Sequence, residues 1–496
     1  MIKLSLFWHM HQPDYRNISG VMVMPWVFLH SIKDYYDMPY LLSNFPSLKA
    51  TFNLTPTLIE QLLLYEKCGY KCDLFLSLWR KDPSKLSNYE RTWVMKICNS
   101  PQFETMVKPF FRYAELYGKE SLDDSEFIEL EVLFMLSWCG NYLRQHNETV
   151  KQLINKGKDF SLEDKDELLD VLMSFIPTIL PFYKLLQESG QISLSTTPYY
   201  HPILPLLLEK KLLLSDAKEQ VKRAIELYRE VFGKSPIGIW PAEGAVDEKS
   251  VALYKSYGIR WIATDEEILF KSLGKKSGNE LYKCHHFNDL FIAFRDRTLS
   301  DLIAFSYRYW SAKDAVDNFI LHLRQIEKKE KDPKVSVILD GENSWEFYKK
   351  SGYDFLSELY RQLDEADDCQ TVTMDELAKE RLVKRLKRLH SGSWIDGNFD
   401  TWVAHPQKSR AWELIYKTKE DYRCHIKRVS SRVRSEITNH FLISESSDWF
   451  WWYGNEHHNE YAKEFDQLFR NHLIEIYKLM DVTPPSELFF PITELK

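Results

Sequence analysis

Two acids stand where chemistry is expected. Glu243 closes Ile239-Trp240-Pro241-Ala242-Glu243, just past an apolar run over 236–240 that reads as a short buried strand. Pro241 has no N–H to give to a ladder and stops that strand, so Glu243 falls in the loop beyond it. Asp340 ends a second such run, over 335–339. In parallel α/β folds, the loops past the strand ends carry catalytic groups. Cleaving a glycosidic bond needs two carboxyl groups in different environments, one ionised to attack the anomeric carbon and one protonated to serve the leaving oxygen. Trp240 and Trp345 would then be flat walls for a sugar ring. Glu342, two residues past Asp340, competes for the acid role. The bland alternative for any one of these acids is a helix cap.

His9 and His11 lie two apart at the end of an N-terminal apolar run, so a strand points both to one side. With Gln12 they could bind sugar hydroxyls. With a carboxylate such as Asp340 they could hold zinc, as in a deacetylase or a mannosidase-like enzyme. They could also be structural. His201 follows another strand candidate. Arg295 and Asp296 end a further one and either touch substrate or form an ion pair that holds loops; Asp301 could begin the next helix. Asp396, Asn398, Trp402 and His405 put acid, amide, indole and imidazole within ten residues, which suits a loop folded over a sugar site. The aromatic run 449–453 reads as a packing plug.

Seven strand candidates position these residues: 2–8, 49–53, 191–196, 236–240, 259–263, 290–294 and 335–339. They alternate with helical patterns, which favours a parallel barrel or a doubly wound sheet. Nearly every strand ends in polar or acidic residues, as at the mouth of a barrel. From about 70 to 185 the pattern is helical throughout and reads as an insertion on one loop. After about 352 it is mostly helical again, and the basic run 379–388 reads as a solvated helix face.

The chain has 496 residues, 44% hydrophobic and 28% charged, with net charge −7. This is globular composition, large enough for one large core and a smaller one, and it gives no support to a nucleic-acid partner. Seven scattered cysteines fit neither a disulfide framework nor a zinc ribbon. Reduced thiols and the absence of a signal-peptide pattern make the cytoplasm the expected compartment. No uninterrupted apolar stretch reads as long enough to span a membrane.

Five motifs in order resemble glycoside hydrolase family 57: Leu6 to Pro13, Thr197 to Ile203, Gly238 to Glu243, Leu339 to Trp345, and Trp394 to Trp402. Phe294-Arg295-Asp296 with Leu299-Ser300-Asp301 is similar to a segment of the α-amylase and amylopullulanase-like members. The resemblance implies a (β/α)7 barrel over 1–350, with the insertion at about 70–185, and a mainly helical domain over 351–496 that lends its 391–405 loop to the site. It implies a retaining hydrolase of α-glucans with Glu243 as nucleophile, Asp340 as general acid/base, and no metal or cofactor. His9, His11, Gln12, His201, Trp240, Arg295, Asp296, Glu342, Trp345, Asp396, Trp402 and His405 are then expected to contact a malto-oligosaccharide. The same carboxylates serve 4-α-glucanotransferases and branching enzymes, so transfer stays open beside hydrolysis. A carbohydrate-binding protein with a decayed site is the alternative without catalysis.

Overall fold

A computed structural model describes residues 1–276, 278–380, 383–457 and 460–493. All seven expected strands form. They are β1 (Ile2–Met10), β2 (Ala50–Leu54), β3 (Ile192–Ser195), β4 (Gly238–Ile239) and β5 (Trp261–Asp265), then, after β6 (Cys284–Phe287), β7 (Leu290–Arg295) and β8 (Lys334–Asp340). β3, β2, β1 and β8 pair in that order, and β7, β5 and β4 form a second run. Two narrow seams join the runs. A parallel bridge links Thr196 to Ile239, and Asp296 N–H donates to Ser336 O at 2.8 Å. The result is a closed ring of seven parallel strands, the (β/α)7 barrel.

Period-two alternation sorts the side chains into layers. Phe7, Trp240, Trp261, Phe291 and Ile338 pack together inside the barrel. One step further towards the strand ends, the register aligns His9 with Asp340 and with Asn53, Asn53 with Ser195, and Asp265 with Arg295. The barrel is thus plugged with apolar rings below and lined with polar groups at its mouth.

The helical insertion runs from Pro56–Cys68 to Ile179–Glu188, between β2 and β3. It contains one stretch, Leu162–Glu188, that by length and composition alone could cross a membrane, although no uninterrupted apolar run in it is that long. Two prolines, Pro177 and Pro181, lie in it, and Leu168, Leu169, Leu172, Ile179 and Tyr183 bury one face in the core.

Two further expectations need correction. Residues 353–385 stay with the barrel, because Tyr353–Asp364 packs on the helix Ala312–Lys329, and β9 (Cys369–Thr371) pairs with β1. The helical domain therefore follows the 391–405 loop rather than starting at 351. It is built on Pro406–His425, Ser431–Ser444 and Ala462–Leu479. The basic run is not a helix face either. Its residues Arg381 and Leu382 lie outside the described residues, and β10 (Val383–Arg385) pairs with β6. The seven cysteines are all free, five of them buried.

Candidate active site

The mouth of the barrel opens into a cleft of two adjoining compartments. The inner one, about 360 Å³, is lined by His9, His11, Gln12, Glu243, Glu342 and Asp448, among others. The outer one, about 480 Å³, is lined by Arg295, Arg297, Asp301, Phe305, Arg308 and Asp396, with further residues. Asp340, Asn343, Trp394, Ile395 and Trp451 face both. Asp340 therefore stands on the boundary, and Glu243 belongs to the inner compartment alone.

Glu243 sits in a tight turn, Ala242–Gly244, at φ 57° and ψ 24°. A left-handed backbone is strained for a residue with a Cβ and costs about 1–3 kcal/mol. His201, after β3, is held the same way at φ 58°. Surrounding bonds hold the Glu243 turn in place. Thr264 donates to Gly244 O at 2.6 Å. Val246 and Gly392 exchange backbone bonds of 2.8 and 3.0 Å, and Trp394 N–H reaches Glu243 O at 3.0 Å. The 391–405 loop is thereby stitched to the turn, and the Trp394 indole donates to Glu243 Oε2 at 2.8 Å.

Burial pushes the Glu243 carboxyl up to about 7; the Trp394 bond opposes this and the charge of Asp340 adds to it. Burial also raises Asp340, against the Asn343 amide at 2.9 Å and the charges of His11 and Arg295. Burial and the Asp340 charge push Glu342 well above the carboxylate range. Its Oε1 accepts from His11 N–H at 2.9 Å, and its Oε2 is buried without a partner among the described residues.

The three imidazoles have distinct states. Asn53 donates its amide N–H to Ser195, so its Oδ1 accepts from His9 Nδ1–H at 2.7 Å. Burial then lowers His9 to about 3, with the His11 charge adding to the shift, and its Nε2 is the unprotonated nitrogen. His11 is flanked by Thr55 at 3.2 Å and Asp448 at 2.8 Å. Burial works against its charge, but Asp448, together with the charges of Glu243 and Asp340, outweighs burial and holds His11 above its ordinary value. His201 is driven well below its ordinary value by burial and by the His11 charge. The surroundings thus favour the charged form of His11 and the neutral forms of His9 and His201.

Donor atoms of His11, His201 and Asp448 lie within 4.8 Å of one another, close enough to suggest a metal. The ring planes argue otherwise. His11 stacks on His201 at 3.9 Å and 18°, and His9 lies 15–19° from both. Lone pairs lie in the ring planes, and nearly parallel planes do not converge on one ion as a tetrahedral site demands. The zinc reading of His9 and His11 is therefore set aside.

Several expected contacts lie elsewhere. Trp240 is fully buried under the cleft, against Phe7 at 5.6 Å and Trp394 at 5.1 Å. The small Ala263 and Ala293 share the barrel interior with its indole. Trp345 packs on the outer side of β1 against Trp8 and donates to Gly341 O at 2.8 Å. Trp402 is buried in the helical domain, where its carbonyl accepts from Trp412. Asp296 caps the helix Arg297–Asp301 by accepting from Leu299 N–H at 2.9 Å. His405 caps Pro406–His425. His201 backs the inner compartment through its stack on His11.

Sequence reasoning missed Asp448, Trp451 and Trp452, which wall the inner compartment from the short helix Ser447–Trp452. The run read as a plug does bury Trp449 and Phe450. The available signal was Ser446-Ser447-Asp448, a helix start with an acid in its first turn.

The sequence model of glycosyl hydrolase family 57 matches residues 5–390. Alpha-amylase 1 of Dictyoglomus thermophilum is 30% identical over 138 residues, which span 27% of this chain and only 19% of that protein. Among solved structures, a branching enzyme from Thermococcus kodakaraensis superposes with TM-score 0.65 at 15% identity, over 96% of this chain and 90% of that one. The alpha-amylase AmyC from Thermotoga maritima gives 0.62 at 15% identity, over 97% and 93%. At such identities the likeness is one of fold.

Proposed function

The chain belongs to glycosyl hydrolase family 57, and from that premise we propose that it is a retaining hydrolase of α-glucans such as maltodextrin, starch or glycogen, of amylase or amylopullulanase type. The observation that carries this reading is the placement of the two carboxyls, with Glu243 at the wall of the inner compartment and Asp340 on its border. A sugar ring in the inner compartment would present its anomeric carbon to Glu243 and its glycosidic oxygen to Asp340.

In the first step Glu243 attacks the anomeric carbon while Asp340 gives its proton to the departing oxygen. In the second, Asp340 takes a proton from water, the water oxygen bonds to the anomeric carbon, and the Glu243 ester breaks. The surroundings suit these roles. The Trp394 N–H and the His11 charge oppose the upward push of burial on Glu243, and burial favours the protonated form of Asp340. The free Nε2 of His9 and the amide of Gln12 are placed to meet sugar hydroxyls. The local likeness to an alpha-amylase supports hydrolysis over transfer. The seven free cysteines support a cytoplasmic location.

The test is product analysis on maltoheptaose, with wild type beside Glu243→Gln. Shorter products with new reducing ends, lost in the variant, are expected. Longer and shorter products without new reducing ends would make the enzyme a transferase. Unchanged products from Glu243→Gln would overturn the assignment.

A further inference from the structure

We propose that the outer compartment holds the departing glucan chain and then a neutral sugar acceptor, and that Phe305, Arg308 and Phe347 are the residues that bind it. The inference rests on the roles proposed for Glu243 and Asp340. A proton donor must stand on the leaving-group side of the bond being cut. Because Asp340 lies on the boundary and Glu243 lies inside it, the leaving sugar extends outward, into the compartment lined by these three residues.

The lining fits a neutral sugar. Phe305 projects from a π-helical turn, Leu302–Ser306, a rare backbone form that recurs at functional sites. It is 61% exposed and Phe347 is 40% exposed, offering flat apolar faces to a pyranose. Thr105, in a second π-helical turn from the insertion, donates to the carbonyl of Glu346 and braces the Phe347 turn. The charges of Arg295 and Arg297 are matched by Asp265 and Asp301. Arg308 differs. Its guanidinium lies over the rings of Tyr309 at 4.9 Å and Phe347 at 4.6 Å, and its buried Nε–H has no partner among the described residues. Among the described residues no carboxylate pairs with it. A guanidinium fixed on two rings, with donors unused, suits the hydroxyls of a sugar stacked alongside.

An acceptor held here would complete transfer: its hydroxyl oxygen bonds to the anomeric carbon, its proton passes to the Asp340 carboxylate, and the Glu243 ester bond breaks to return a carboxylate.

The experiment compares two substrates in Phe305→Ala, Arg308→Gln and Phe347→Ala. Maltoheptaose must fill the outer compartment; α-maltotriosyl fluoride, whose leaving group is a single ion, does not. The expected result is a loss of kcat/KM at least tenfold larger on maltoheptaose than on the fluoride, with transfer to added maltose reduced in parallel. Equal losses on both substrates, or no loss on maltoheptaose, would overturn the proposal. A wild type inert on both would overturn the α-glucan reading itself, and this inference with it.

Discussion

The indole of Trp394 reaches the carboxyl of Glu243 from 151 residues further along the chain, N–H to Oε2 at 2.8 Å. That bond favours the Glu243 anion, and it belongs to a loop whose backbone is pinned to the Glu243 turn. Position and charge of the proposed nucleophile therefore depend on the same loop.

Trp394→Phe removes the donor and keeps a ring. The carboxyl of Glu243, already at about 7, rises further because its charged form loses a partner. A charge-assisted bond of about 1.5–3 kcal/mol corresponds to about one to two pKa units. The acid limb of kcat/KM against pH should move up by about that much. An acid limb that stays in place would show that the bond does not govern ionisation.

Asp448→Asn keeps the shape of the His11 partner and removes its charge. In the wild type, burial opposes the imidazolium, and Asp448 is the largest of the groups that together more than offset it. A group raised in the folded state contributes stability that is full below its unfolded pKa, about 6.5 for histidine, and is lost as pH rises through its folded value. Urea midpoints of the wild type should therefore fall from pH 6.5 upward relative to those of the variant. Parallel midpoints would mean that His11 is not charged.

Glu342→Gln tests the opposite case. Its carboxyl is buried, with one oxygen lacking a partner, and is held well above the ordinary range by burial and by Asp340. Such an acid destabilises the fold increasingly as pH climbs above its unfolded value, about 4.3. Glutamine can still accept from His11 N–H through its carbonyl and never needs a proton. The variant should unfold at higher urea than the wild type at pH 7, and the gap should close towards pH 4.

Gly238→Ala tests the barrel. A Cβ on Gly238 would lie 1.9 Å from the indole of Trp261, a rigid ring inside the plugged interior. Overpacking of this kind costs about 1–3 kcal/mol and occasionally more. The denaturation midpoint should drop accordingly, whereas Gly278→Ala, with nothing within 4 Å, should leave it nearly unchanged.

The strands were legible because apolar runs closed by polar residues are a local signal, and the barrel mouth follows from period two alone. Glu243, Asp340, His9, His11 and Gln12 reach the cleft for that reason. Trp240, Trp345 and Trp402 did not follow, because a tryptophan near a strand end reads identically whether its ring faces substrate or fills a void. Trp240 fills one beside the small Ala263 and Ala293 of the same interior cluster, a relation across strands that no local window contains. Asp448 was hidden for a similar reason: its role comes from His11, 437 residues away. The strand β10 was misread because its partner β6 supplies the pairing that the basic residues do not announce.

The inner compartment takes its floor from β1 and its wall from Ser447–Trp452, near the opposite end of the chain. During translation both carboxyls leave the ribosome well before Asp448, Trp451 and Trp452 exist. Until then the compartment lacks Asp448, Trp451 and Trp452 as its wall.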